Sequence, residues 1–356
     1  MPVAWMPSAE NSAAAASRMR SRAPRPPRRG AGVLSFANAS DPVRPVRRLR
    51  RAAPGRALVR MAVAGTHPLD NTARLGKLPP GVVKPFPVTP GTVGVGVVER
   101  PGASGPGAGT RVMVGGGLYG IGADGTWADY LVADPAHLLP LPDAVDDTAA
   151  AALSAGGGYL TAYLALTELA GFRPGGTVLA PGSGGSVGQG GVEIARHLGA
   201  SLAVTTATST AKAELGRAAG YEVIDLTRES LRDGVARLTG GRGVDVVLDG
   251  VGGEVTGQAL GALARGGTLV SIGYSAGTHA GIDVTDLIWK AAHIHGFSFS
   301  LFSPAQVDSA NTVLLDLLAR KAITPLVDRV FPLEQAARAQ RHLIEGGPFG
   351  RVLLGL

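Results

Sequence analysis

An apolar strand that breaks into three spaced glycines and then into an amphipathic helix admits few folds. From Gly175 to Ala200 the chain reads GGTVLAPGSGGSVGQGGVEIARHLGA. A buried strand is expected over 177–181, then Gly182, Gly185 and Gly188, then a helix over 188–198. In a phosphate-binding turn the first glycine permits the sharp exit from the strand. The second lets the backbone approach a diphosphate with no Cβ between them, and the third lets the helix pack closely on the sheet. The helix N-terminus, with free N–H groups and the positive end of the dipole, then holds the negative charge. The spacing is G-x-x-G-x-x-G and not the common G-x-G-x-x-G, so a purely structural turn is the competing reading. The strand–turn–helix context favours a diphosphate, and with it a dinucleotide.

The text around this turn sets the fold class. Strands are expected at 177–181, 201–206, 222–225, 244–249 and 268–272, alternating with helices at 188–198, 211–219, 229–238 and 254–264. That alternation predicts an α/β domain with a doubly wound parallel sheet. Upstream, short β-like runs at 32–37, 57–64, 93–99, 111–114 and 128–132 are punctuated by Gly and Pro, which predicts a compact β-rich domain. Helices over 148–155 and 160–170 join the two, and 305–356 reads helix, strand, helix, strand and is expected to return to the β-rich domain. No run approaches ~18 uninterrupted apolar residues, so no membrane span is expected.

Composition removes several chemistries. The 356 residues include no cysteine, which rules out disulfides, cysteine nucleophiles and a four-cysteine zinc site; no metal site is expected. The net charge of +7 is unevenly placed: residues 1–60 carry 13 Arg against Glu10 and Asp41, an excess of +11 that leaves −4 for the remainder. The basic balance therefore belongs to a leader, and nucleic acid is not the expected partner of the folded domains. Residues 1–31 hold too little apolar surface to offset the entropy of ordering and are expected to be disordered. An Arg-rich, acid-poor leader also suits an organellar transit peptide. The preferred reading is a cytoplasmic protein with an inert extension.

An NAD site places Asp or Glu about 20 residues past the first glycine, on the ribose 2′-OH. Here 202–210 reads LAVTTATST, with no acid and with Thr206 among its hydroxyls, and Lys212 follows. The missing acid removes repulsion toward a 2′-phosphate and Lys212 supplies the opposite charge, which predicts NADPH. Asp249 and the pair Gly273–Tyr274 end two later strands, at the sheet edge where open α/β folds bind ligands. A rival motif overlaps the turn. Gly184–Gly188 matches the G-x-S-x-G elbow of α/β-hydrolases, and Ser186, Asp249 and one of His279, His293 or His295 stand in hydrolase chain order. The upstream His-Gly-Gly-Gly oxyanion segment of that class is missing.

Several dispersed stretches, in the right order, resemble the zinc-independent medium-chain dehydrogenases/reductases of the quinone oxidoreductase type. They are AVAGTHPLD (62–70), VTPGTVGVGVV (88–98), GTWADYLV (125–132), LTAYLAL (160–166), GVDVVLDGVGG (243–253), GGTLVSIG (266–273), IHGFS (294–298) and the run from Leu326 to Leu354. The likeness extends from about Gly32 onward. It implies a Rossmann NADP-binding domain at 151–296 and a β-rich GroES-like catalytic domain split between 32–150 and 297–356. It implies cofactor contacts at Gly182, Gly185, Ser186, Val187, Lys212, Tyr274, Phe297 and Ser298, with Thr161 beside the nicotinamide and Arg351 near the cofactor, and it implies a homodimer. Departures are visible. The zinc alcohol dehydrogenases need Cys ligands that this chain lacks. The family's Asn before Pro-x-Asp is His67 here, and the loop tyrosines of quinone and enoyl-thioester reductases fall at Thr72 and Leu78. The acceptor is thus open among quinones, α,β-unsaturated carbonyls, enoyl thioesters and aldehydes.

Hydride transfer leaves negative charge on the acceptor, which calls for a hydrogen-bond donor. His67 is the first candidate, because an imidazole donates and also delivers a proton near neutral pH; a loop-packing histidine is the competing reading. Asp70 either orients His67 or caps the following turn. Tyr130 and Tyr159 are secondary donors. His293 and His295 share one face of a strand at metal-like spacing but lack a third ligand, so packing or surface exposure is expected. The non-enzymatic alternative is a dinucleotide-bound sensor or RNA-binding protein that uses the basic leader.

Overall fold

The computed structural model describes residues 54–78 and 88–356. The expected strand at 32–37 and the expected disorder of 1–31 lie outside the described residues.

The first sheet begins with β1 (Ala57–Gly65), β2 (Gly94–Arg100), β3 (Arg111–Val114), β4 (Tyr130–Ala133) and β5 (Leu138–Pro140). These pair antiparallel in the order β1-β2-β3-β5, with β4 on β1. β1, with sequence ALVRMAVAG, is buried along most of its length, so it reads as a near-continuous apolar run with little alternation. A short helix, α1 (Pro68–Arg74), follows it.

Next come α2 (Asp147–Ser154) and α3 (Gly158–Leu164), the latter continuing as a π-helical stretch over Ala165–Leu169. One uniform helix was expected over 160–170; the chain instead widens its final turns. The small side chains of α2 let it pack closely on the first sheet, with Ala150, Ala151 and Ala152 fully buried in one core with Val63 of β1 and Val95 of β2. Among the described residues no single helix is long and apolar enough to cross a membrane.

The second sheet follows as β6 (Thr177–Ala180), α4 (Ser186–His197), β7 (Leu202–Ala207), α5 (Thr210–Ala218), β8 (Glu222–Asp225), α6 (Leu231–Thr239), β9 (Val244–Asp249), α7 (Glu254–Gly261), β10 (Leu263–Ser271), α8 (Val284–Trp289) and β11 (His293–Gly296). All six strands are parallel, in the order β11-β10-β9-β6-β7-β8. The strand order reverses between β6 and β9, and ligands of open α/β sheets bind at the carboxyl ends beside such a switch. The helix expected over 254–264 stops at Gly261, because Leu263 leaves it to pair with Val244 of β9 and starts β10 five residues early.

The chain then forms α9 (Pro304–Ala319), β12 (Val327–Pro332), α10 (Ala336–Glu345) and β13 (Arg351–Gly355). β13 inserts into the first sheet between β12 and β1, parallel to the former and antiparallel to the latter.

Candidate functional site

A cleft of about 390 Å³ opens at the carboxyl ends of β6 and β7, with the segment before β13 as its other wall. Its floor is the glycine turn. Gly182 takes φ +92°, a left-handed conformation open to glycine, and donates its N–H to Thr206 Oγ1 at 3.2 Å. Gly188 lies so close beneath the turn that a Cβ there would overlap the carbonyl oxygen of Gly182. Gly185 is the N-cap of α4 and carries no capping side chain, so the first N–H groups of a twelve-residue helix point out unspent. Ser186, also in the lining, donates its hydroxyl to the Gly156 carbonyl at 3.3 Å.

Two cations complete this end, and among the described residues no Asp or Glu lines the cleft. Arg351 comes from β13, in the other sheet, and is buried. Its Nη2 donates to Gln189 Oε1 at 3.1 Å, a neutral amide, and its Nε is buried without a partner among the described residues. Burial pulls the guanidinium below its ordinary pKa range. Such a group is stable when an anion reaches it. Lys212, in the first turn of α5, lies with its Nζ against Gly347 of the loop that crosses above. That loop is tied down by the Gly350 N–H donating to the Gly184 carbonyl at 3.2 Å. Val187 and Val251 add an apolar wall.

The opposite end is built by Thr66, Pro68, Ala155 and Gly156. His67 is the N-cap of α1: its Nδ1 accepts the Leu69 N–H at 2.9 Å. An accepting Nδ1 is unprotonated, and burial drives the ring down to a pKa of about 4. The expectation that His67 delivers a proton near neutral pH is therefore corrected: the imidazole is neutral there and committed to the cap. Asp70 does not orient that ring. Its Oδ2 accepts the His67 backbone N–H at 2.7 Å, closing a reciprocal capping box, and burial raises it to about 7. Thr161 is buried one turn into α3, near Gly157 and the ring of Phe299, outside the cleft lining.

The structure brings Gly182, Gly185, Ser186, Val187, Gly188, Thr206, Lys212 and Arg351 to one cleft. It leaves Asp249, Gly273, Tyr274, Phe297 and Ser298 off the lining, and their neighbours Gly250, Val251 and Ser275 stand there instead. Asp249 is fully buried and spent on the backbone N–H groups of Val251 and Gly252 and on the Thr256 hydroxyl. Tyr274 is 63% exposed. The hydrolase triad does not assemble, because Asp249 has no histidine partner and His293 and His295 are on the surface. Tyr159 is no donor to the cleft either: it is buried and bonds Glu193 at 3.1 Å. Sequence reasoning missed Thr66, Gly156 and Pro348. The triple glycine at 156–158 was the visible signal for one of them. A second hollow of about 410 Å³ contains Glu193, whose carboxylate is already filled by Tyr159, Tyr221 and the Thr324 N–H. Among the described residues no group of three or more His, Asp or Glu is arranged to hold a metal ion.

Comparison with known proteins agrees with this geometry. Residues 53–143 match the alcohol dehydrogenase GroES-like domain and residues 186–318 match the zinc-binding dehydrogenase family. The chain is 30% identical over 280 residues to quinone oxidoreductase-like protein 2 of Bos taurus, covering 76% of this chain and 77% of that one. It is 32% identical over 272 residues to part of the mycoketide-CoA synthase of Mycobacterium tuberculosis, covering 74% of this chain and 6% of the synthase. A mycobacterial protein solved in complex with NADPH superposes with a TM-score of 0.74 at 29% identity, over 87% of this chain and 94% of that one. The glycine turn, the bare helix end and the buried arginine fit a nicotinamide dinucleotide. Fold, site and relatives together make this chain an oxidoreductase of the medium-chain dehydrogenase/reductase superfamily, belonging to its quinone oxidoreductase-like family.

Proposed function

We propose that the chain is an NADPH-dependent reductase that needs no catalytic zinc and passes hydride to a quinone or an α,β-unsaturated carbonyl. The observation that carries this reading is the charge of the cleft: two cations, an uncapped helix N-terminus and, among the described residues, no carboxylate. The bound nicotinamide supplies the hydride; the protein's part is to hold and orient. The α4 N–H groups and Arg351 offset the diphosphate, and Lys212, with Thr206 and Thr208 beside it, takes the 2′-phosphate. The His67 cap fixes the backbone from Thr66 to Pro68, and the Thr66 hydroxyl is anchored on the Val352 carbonyl at 2.8 Å. Phe299, packed edge-on against Phe297 with ring centroids 5.1 Å apart, stands half-exposed beside Gly157 and leaves the acceptor side open to solvent. With His67 neutral, the proton that completes the reduction comes from solvent.

The test is a panel of quinones, enones, enoyl thioesters and aldehydes with NADPH and with NADH. NADPH should be preferred, and Lys212→Ala should weaken NADPH by roughly tenfold or more, the loss of one charged hydrogen bond, while leaving NADH unchanged. Equal efficiency with both cofactors would remove the NADPH assignment. The match to a polyketide synthase segment favours the enoyl thioester as second reading, and turnover confined to thioesters would select it.

We also propose a homodimer. Of the 13 large hydrophobic side chains exposed among the described residues, eight fall between Tyr274 and Leu301, around the open edge strand β11. A clustered apolar surface of this kind is what a partner covers.

A further inference from the structure

The open edge of the second sheet carries a chemical signal besides its apolar rim. All four residues of β11, His293, Ile294, His295 and Gly296, are exposed. The strand pairs with β10 on one side, Thr268 opposite His293 and Val270 opposite His295, and ends the sheet on the other. Alternation puts both imidazoles on one face and Ile294 on the other. Ile294 is in register with Leu269, whose core cluster includes Leu287 of α8, so the Ile294 face is the one that also presents Ile288 and Trp289, 65% and 73% exposed.

Symmetry then restricts what a second copy does here. A two-fold axis perpendicular to a continuous sheet keeps every side chain on its own face, and opposite residues of an antiparallel pair share a face. An odd register is therefore forbidden, and the histidine row of one copy meets the histidine row of the other in every allowed register. In the central one, Ile294 lies opposite the partner's Ile294, and His293 lies opposite the partner's His295 in each of two pairs. Opposed Cβ atoms sit roughly 4.5–5.5 Å apart, within reach of a shared ion with metal–nitrogen bonds of about 2.0–2.1 Å.

We propose that two copies paired through β11 build a transition-metal site from His293 and His295 of each. Among its described residues one copy supplies two imidazoles and no third ligand, so the site is incomplete without the partner. Neutral nitrogen donors with no carboxylate select Zn²⁺, Ni²⁺ or Cu²⁺ over Mg²⁺ and Ca²⁺. The apolar seam of Ile294, Ile288 and Trp289 holds the pair on one face, and the metal staples it on the other. The inference rests on the homodimer proposed above.

The experiment is sedimentation analysis of the untagged full chain over a concentration series in EDTA, in Zn²⁺ and in Mg²⁺, with metal content measured after gel filtration. The expected result is a dimer dissociation constant lowered about tenfold or more by Zn²⁺, no response to Mg²⁺, and one zinc per dimer. His293→Ala and His295→Ala, both surface changes, should each abolish the zinc response and leave association in EDTA unaltered. The double variant keeps the other five histidines of the chain and so controls for scattered binding. A dimer that zinc does not tighten overturns the metal site and leaves the homodimer standing, as does a zinc response that survives in the double variant. A monomer under every condition overturns both.

Discussion

At the scale of single residues, His67 and Asp70 titrate against each other. In the unfolded chain His67 would bind its proton near the ordinary value of 6.5, but in the fold it does so at about 4. Protons therefore favour the unfolded chain between those values, and stability falls as pH drops through 6.5 and levels off below about 4. Asp70 works the other way. Its folded value of about 7 exceeds the ordinary 3.8, so folding takes up a proton in that window and stability rises as pH falls from about 7. His67→Asn keeps a side-chain acceptor for the Leu69 N–H and removes the titration. Relative to the native protein the variant should gain about 2 kcal/mol on moving from pH 7.5 to pH 5, read from urea unfolding at both values. An unchanged pH response would show that the ring does not hold the cap. The Asn-to-His exchange was visible in the sequence, and so was the choice between proton donor and packing residue. The capping role was not, because it depends on the extended backbone of residue 67, with φ −137° and ψ 146°, and on which ring nitrogen accepts.

At the scale of elements, the strand–turn–helix unit was legible because each of its glycines answers a steric demand that recurs wherever backbone must approach a diphosphate. Gly188→Ala tests the demand made by the carbonyl oxygen of Gly182. It should cost about 1–3 kcal/mol by overpacking and abolish dinucleotide binding, read by melting and calorimetry. A variant that binds NADPH normally would mean that the turn opens freely. The alternating strands were legible for a similar reason, being four- to six-residue apolar runs between helical periods. The failures sit where pairing overrules periodicity. Leu263 continues the apolar rhythm of α7, yet the ladder to β9 claims it, with an irregular register between Leu263 and Thr268. Asp249, at the end of β9, looks available in the sequence and is consumed by its own turn.

At the scale of the whole molecule, the site is an agreement between two sheets. The glycine turn belongs to the second and Arg351 to the first, 162 positions from the Gln189 it touches. Local pattern does not reveal such a meeting; the arginine entered the sequence reading only through family likeness. Its consequence is a split response to Arg351→Met. Without ligand the variant should melt at or above the native temperature, since a buried charge with an unpaired Nε is gone. With NADPH it should gain less, its affinity reduced by roughly 10- to 100-fold. Lower stability without ligand together with unaltered affinity would assign Arg351 to the framework alone. The insertion of β13 beside β1 also has a bearing on biosynthesis. Ribosomes deliver β1 nearly three hundred residues ahead of the strand that flanks it, and the entire parallel sheet is synthesised in the interval. The nucleotide half can thus mature during translation, while the Val63–Gly65 end of β1, past the residues that β4 pairs, waits without its partner until the final segment emerges.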